Sequence, residues 1–326
     1  MRWFSDHFYR GAGCRVSGVA RRASNGLMAI AFVVLLVVTQ PAFSQRRPVA
    51  QSSIPALLVT SEPGAIVWID EIRRGTTNES GQLQVKKVLP GRHVVRVRAA
   101  GFREATVPLL PGRRSLNVKL VKTSDTAELR FQQAEAARDK ARDDPAKEAA
   151  AELYRETLKL RPAFPAAHLG LARLLLDLNK TQEALTEIQA ARRNRPAYAE
   201  ASAVEGRIHR EAGFTDDAIL SFRRAIREAK GFQPEAYVGL ARVFEEQGKH
   251  DEAIDAFNKA LAQLSESEPV IYQLVGAVYE KQQKFKEAVA AYEKYLALAP
   301  NGSLAPAIRS ILDQLKREAE GNQIIP

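Results

Sequence analysis

Cysteine is nearly absent: Cys14 is the single one in 326 residues. No disulfide framework, no thiolate metal cage and no Cys–His nucleophile pair can be built from it. A sequence this poor in cysteine suits an oxidising compartment. Histidine is scarce as well. His7, His93, His168, His209 and His250 are scattered, with no His-x-x-x-His or Glu-paired spacing for a metal. His168 and His209 fall where helices pack. No Gly-rich phosphate loop follows a strand, and no Gly-x-Ser-x-Gly elbow occurs. These absences predict a protein with no catalytic residues, no metal and no cofactor. There are two Met and two Trp, so the apolar stripes read as core and not as a cofactor box. The sequence offers no exposed aromatic stacking platform and no recognition motif, which argues against nucleic acid as a partner.

Long apolar runs are limited to one, LMAIAFVVLLVVT at residues 27–39. Arg15, Arg21 and Arg22 precede it; Pro41, Ala42, Phe43 and Ser44 follow. A basic stretch, a short apolar core and small residues two apart predict a secretory signal peptide over residues 1–44. The core is shorter than the roughly 20 residues needed to span a bilayer; an uncleaved membrane anchor is the alternative. Cys14 lies on the wrong side of the run for lipoprotein acylation. The expectation is an exported protein, periplasmic or extracellular. Residues 45–54 read as a linker.

Positive charge is present in excess, but in one place. The formal net charge is +10; residues 45–122 hold 14 basic and 5 acidic residues, whereas residues 123–326 hold 29 basic and 32 acidic. The imbalance belongs to the segment after the linker and says nothing about what the C-terminal half binds.

That segment alternates with a period of two. Leu83 and Val85, then Val95, Val97 and Ala99, then Leu116, Val118 and Leu120 alternate with polar neighbours. Such alternation predicts strands with one buried and one wet face. Turn signals punctuate it at Glu62-Pro63-Gly64, Asn78-Glu79-Ser80-Gly81, Pro90-Gly91, Ala100-Gly101 and Pro111-Gly112. The expectation is a small antiparallel β-sandwich over residues 55–122. Its wet face would carry Lys86, Arg96, Arg98 and Lys119, a basic surface suited to anionic polysaccharide, lipid headgroups at a membrane surface, or an acidic protein. The same residues also serve to blunt edge pairing.

The motifs Glu62-Pro63-Gly64-Ala65, Val67-Trp68-Ile69-Asp70, Gly75-Thr76-Thr77, Leu89-Pro90-Gly91 and Ala100-Gly101-Phe102 run in an order that resembles the PEGA domain. Asn78 stands where that family often has Pro. The resemblance implies a β-sandwich-like module of exported and envelope proteins, with no established ligand.

From residue 123 onward the period becomes helical and then repeats. Ala150, Ala184, Ala218, Ala253 and Ala288 recur at steps of 34 and 35. Four residues later come Tyr154, Ile188, Phe222, Phe257 and Tyr292, and three further Thr157, Ala191, Ala225, Ala260 and Tyr295. Pro162, Pro196 and Pro300 close three of the units. Leu171-Ala172, Glu205-Gly206, Leu240-Ala241 and Val275-Gly276 put a small residue where paired helices cross closely. Gly213, Gly248 and Asn179-Lys180 mark the turns inside pairs. The pattern resembles the tetratricopeptide repeat (TPR). Five repeats are expected, at about 127–162, 165–198, 199–233, 234–268 and 269–303. An amphipathic capping helix follows over 304–320, with Ile308, Ile311, Leu312 and Leu315 on one side. The first repeat departs, with Ala137-Arg138 in the small-residue slot, as a terminal cap would. The fold class is thus a small β-sandwich followed by an α-helical superhelix.

In the arrangement that resemblance implies, the residue after the small slot faces a concave groove. It is Arg173, Arg207 and Arg242 in three successive repeats, with Arg210 one turn further on. A row of guanidinium groups suits acidic peptide segments or free carboxyl termini. Asp177, Glu211, Glu245 and Glu246 lie a turn away and are equally placed to neutralise the row. Three functional readings stay open. The first is a non-enzymatic envelope scaffold that binds partner proteins or peptides in the groove. The second is a cell-wall or anionic polysaccharide binder that reads through the basic sandwich. The third is an enzyme hidden among the repeats.

Overall fold

The computed structural model describes residues 56–86, 88, 91–264 and 267–321. The expected signal peptide, the linker, Leu89 and Pro90 lie outside the described residues.

Among the described residues, the N-terminal part is built of nine short strands: β1 (Leu57–Thr60), β2 (Ile66–Ile69), β3 (Ile72–Thr76), β4 (Gln82–Val85), β5 (His93–Arg98), β6 (Phe102–Arg103), β7 (Ala105–Leu109), β8 (Ser115–Asn117) and β9 (Val121–Lys122). They form a four-stranded sheet in the order β3-β2-β5-β7, a three-stranded sheet β4-β1-β8 and a two-stranded ribbon β6-β9. All pairings are antiparallel except β1 with β8, which is parallel. The larger two sheets share one core of Leu57, Val59, Val67, Ile69, Val85, Val95, Val97, Leu109, Val118 and Leu120, in which Val85, Val95, Val97, Val118 and Leu120 belong to the alternating series. Thr77 pins the first turn: its hydroxyl donates to the Glu62 carbonyl (2.6 Å) and accepts from the Ala65 amide (2.8 Å). Gly81, at φ +72°, lies so close to Ser61 that a Cβ would sit 2.1 Å from its carbonyl oxygen, so only glycine fits.

Five helix pairs follow: α1 (Thr126–Lys140) with α2 (Asp144–Leu160), α3 (Pro165–Asp177) with α4 (Thr181–Asn194), α5 (Ala199–Glu211) with α6 (Thr215–Glu228), α7 (Pro234–Glu246) with α8 (His250–Gln263), and α9 (Pro269–Lys281) with α10 (Phe285–Leu298). An eleventh helix, α11 (Ala305–Gly321), packs on α10 through Ile308 and Leu315. Every alanine of the periodic series is buried, as are the five residues four positions later and the five three further on. Two kinds of glycine keep these layers close. Gly206 and Gly276 lie under Phe222 and Tyr292 of their own pair; Gly170 and Gly239 lie against Tyr154 and Phe222 of the preceding pair. A Cβ at any of the four would come within 2.2–2.7 Å of the ring.

The first pair solves the same problem with charge. Arg138 occupies the small-residue slot, and it pairs with Glu135 at 2.9 Å. The buried Tyr154 hydroxyl donates to the same Glu135 carboxylate. A phenol in place of phenylalanine therefore satisfies a polar site that an apolar ring would leave open.

Candidate functional site

The first helices of successive pairs lie side by side, α1 on α3, α3 on α5 and α5 on α7. The residues they turn away from the second helices line one face. Arg173 on α3 reaches Glu235 at the start of α7, 3.5 Å away, across the intervening α5. A side chain bridging alternate helices requires that the face curve inward, so this is the concave groove.

All four groove arginines lie on that face, and all meet carboxylates of the array itself. Arg207 donates to Asp177 at 2.5 Å and to Glu211 at 3.1 Å. Arg210 donates to Glu246 at 3.1 Å. Arg242 lies 3.5 Å from Glu245, which also takes Lys281 at 2.6 Å. Arg173 has Glu235. The result is a continuous ladder of alternating sign running from α3 to α9. Burial alone would lower the Arg207 guanidinium, but the charges of Asp177 and Glu211 outweigh it and raise its pKa. For Arg210 burial wins over Glu246, with Arg242 also opposing its charge, and the pKa falls.

The four basic residues expected on the wet face of the sandwich divide. Lys86 and Lys119 are exposed. Arg96 and Arg98 are not on a wet face; Arg98 is buried, at 8% exposure. Alternation correctly turns both away from the sandwich core, but that side of the sheet is covered by the helical array. Arg98 pairs with Glu135 of α1 at 3.1 Å and with Glu104, between β6 and β7, at 2.7 Å. Its guanidinium stands 4.8 Å from the Phe131 ring centre, a cation–π geometry. Arg96 lies 4.2 Å over Trp68 and pairs with Glu71 at 2.5 Å and Glu104 at 3.1 Å. Burial would lower the Arg96 pKa; the charges of Glu104, Glu71 and Glu200 outweigh it and hold it above the ordinary arginine value.

Glu135 is the centre of this junction. Burial would raise its pKa, but Arg138, Arg98 and the Tyr154 hydroxyl hold it down at about 2. Beside it, Gln132 of α1 clamps the loop after β5, accepting from the Gly101 amide (3.0 Å) and donating to the Phe102 carbonyl (2.8 Å).

The β2–β3 hairpin also touches the array. Arg73 donates to Asp139 at the end of α1, 2.9 Å away. Ile72 packs on the apolar cluster built mainly from α5 to α9, beside which Tyr237 and Tyr272 also pack. Arg74 feels the Glu268 carboxylate just before α9, and the tip residue Glu71 faces the charge of Glu200 at the start of α5. The hairpin thus sits against the array. Nothing in the strand alternation signals this, because period two tells which side a residue takes and not what covers that side.

His168 is placed by packing, as its position in the repeat predicts: Nδ1 lies 2.6 Å from Glu187, and Nε2 lies 2.8 Å from the Pro162 carbonyl. Among the described residues no group of His, Cys, Asp and Glu is placed to hold a metal, and no helix is long and apolar enough to cross a membrane.

Models of the tetratricopeptide repeat match residues 148–208, 204–269 and 269–301. The helix pairs of this region are therefore tetratricopeptide repeats. Solved structures resemble the array, and the first of these three shares its fold. One is that of pilF from Pseudomonas aeruginosa, 16% identical with a TM-score of 0.50, covering 60% of this protein and 87% of that one. Another is TTC0263, a thermophilic TPR protein of Thermus thermophilus, 21% identical with a TM-score of 0.49, covering 59% and 99%. A third is YrrB, a TPR protein with an unusual peptide-binding site, 18% identical with a TM-score of 0.41, covering 58% and 94%. No curated protein matches the sequence. Tetratricopeptide repeats are in general protein-interaction scaffolds that bind protein or peptide partners.

Proposed function

We propose that the protein is an exported, non-enzymatic scaffold of the cell envelope, which holds segments of partner proteins in the groove of its repeats. The observation that carries this reading is the run of tetratricopeptide repeats over residues 148–301. The groove ladder fits it: alternating guanidinium and carboxylate groups give a partner backbone and side chains many places to exchange hydrogen bonds. Export rests on the basic–apolar–small pattern of residues 1–44. The PEGA-like motif order of residues 59–102 supports an envelope setting.

A second reading has its own support. Lys86, Arg92, Arg103, Arg113, Arg114, Lys119 and Lys122 are all exposed on the β domain, a cationic surface open to anionic polysaccharide. The two readings separate in one experiment. A photo-crosslinking residue at position 210 or 242, in the groove, is compared in the native host with one at position 119. Crosslinks to protein from the groove positions are expected. Silence there, with carbohydrate captured at position 119, would overturn the scaffold in favour of the polysaccharide reader.

A further inference from the structure

The ladder arginines are answered by the array's own carboxylates, so the groove has no unmatched positive row to offer. Carboxylates of the array also face the β domain, and cations of the β2–β3 hairpin and its neighbour β5 add to those the array supplies to them. Asp139, Glu200 and Glu268 stand at three separate helix ends; Arg73 donates to Asp139, while Arg96 and Arg74 act on Glu200 and Glu268 through their charge. Between these cations Ile72 presents an apolar side chain to the α5–α9 cluster. Resting on the scaffold reading above, we propose that the groove is a receptor for a basic, apolar hairpin segment of a partner protein, and that the protein's own β2–β3 hairpin occupies this site until such a partner displaces it.

Three features make the resident hairpin a weak occupant. The first is backbone strain. Asp70 and Glu71 form the two-residue tip at φ +50° and +64°, a left-handed turn that favours Asn-Gly or Asp-Gly. Asp70 suits it and is held by the Val94 amide (2.9 Å) and by His93 (2.5 Å). Glu71 does not suit it, and its left-handed backbone carries a conformational cost. The second is like charge: the Glu71 carboxylate faces Glu200, and burial together with Glu71 pushes Glu200 up to about 7 against Arg173, Arg96 and Arg195. The third is an incomplete polar contact. Arg74 Nε is buried with no hydrogen-bond partner among the described residues, and burial lowers the Arg74 pKa despite Asp70 and Glu268. A partner hairpin with glycine at the tip keeps the apolar and basic contacts and loses the strain and the repulsion. Displacement leaves the β domain tethered, because the Gln132 clamp and the connection through residues 123–125 lie away from the tip.

The probe is a disulfide-cyclised peptide of residues 66–76 carrying Glu71→Gly, labelled and titrated by fluorescence anisotropy against the full-length protein. Weak binding is expected to the wild type, since the apparent dissociation constant is divided by the fraction of open groove. Arg74→Glu or Ile72→Asp, which unseats the resident hairpin, is expected to tighten binding by at least about tenfold. Glu71→Gly in the protein is expected to weaken it below wild type, and Glu268→Lys to weaken it in the Arg74→Glu background. Far-UV circular dichroism checks that each variant is folded. Equal binding to wild type and to both unseating variants would overturn the proposal. So would no binding to any folded variant, or equal binding of a probe carrying Arg73→Glu and Arg74→Glu. If the probe fails while positions 210 and 242 still crosslink to protein, this inference falls alone and the scaffold stands.

Discussion

Phe222 shows how much of this array rests on single side chains. Its ring is 1% exposed and lies between Gly206 of its own pair and Gly239 of the next. Phe222→Ala empties that slot and, by the usual cost of core truncation, is expected to lose about 3–5 kcal/mol; the midpoint of a urea melt measures it. Glu135 is the polar counterpart. Glu135→Ala leaves Arg98 and Arg138 with less compensation in a buried site, at an expected cost of about 3–5 kcal/mol. The sign of its pH effect follows from its lowered pKa. The carboxylate contributes fully above its ordinary value of 4.5, and the contribution is lost as pH falls from there towards about 2. In Glu135→Gln that part of the acid-induced loss of stability is expected to disappear, as read from thermal melts through this range.

At the scale of elements, much was legible and some was not. The turns inside four pairs place a left-handed residue at one equivalent position: Asn179 (φ +60°), Gly213 (+81°), Gly248 (+72°) and Gln283 (+57°). Glycine and asparagine advertise such a turn in sequence. Gln283 does not, so the last of these turns is invisible to residue type and visible only by analogy with its neighbours. Gln283→Gly is expected to raise stability by about 0.5–1 kcal/mol, because glycine removes the left-handed penalty, and differential scanning calorimetry checks it. The helices themselves were readable because each must bury the same stripe against the same neighbours. Gly170 and Gly239 escaped the sequence pattern, since their reason is the aromatic ring of the preceding pair and not their own. In the β domain, alternation located the core side of β4 and β5 but gave no partner. The parallel pairing of β1 with β8 depends on a return from a distant part of the sequence, and no local pattern encodes it.

At the scale of the whole molecule, the joining of the two halves alters the functional picture most. The basic excess of the β domain is partly spent on the array: Arg73 and Arg98 pair with Asp139 and Glu135, and the charge of Arg96 acts on Glu200. Alternation turned the β-domain arginines away from the sandwich core, and the acidic residues a turn from the groove row were visible in the sequence. That Glu135 of the near-neutral half would cover Arg98 was not. The hairpin tip also sets a pH dependence for the junction. Glu200 is raised from 4.5 to about 7 first by burial, then by Glu71, while Arg173, Arg96 and Arg195 oppose the rise. The docked form therefore binds a proton more tightly than an exposed glutamate does. That contribution is complete below about 4.5 and is lost as pH rises to about 7. Hydrogen exchange in β2 and β3 is expected to quicken over this range beyond the intrinsic rate, and Glu200→Gln is expected to flatten the dependence.

The most direct test is the distance between the two halves in solution. With Cys14→Ser, spin labels are placed on Thr76→Cys at the end of β3 and Leu220→Cys on α6, both at exposed positions. Double electron–electron resonance is recorded at about pH 6, within the window where Glu200 favours docking. The hairpin docked in the groove gives one narrow distance distribution, which broadens in Arg74→Glu and on saturation with the cyclised hairpin probe. A distribution already broad in the unliganded wild type would contradict it, as would a narrow one that neither the substitution nor the probe disturbs.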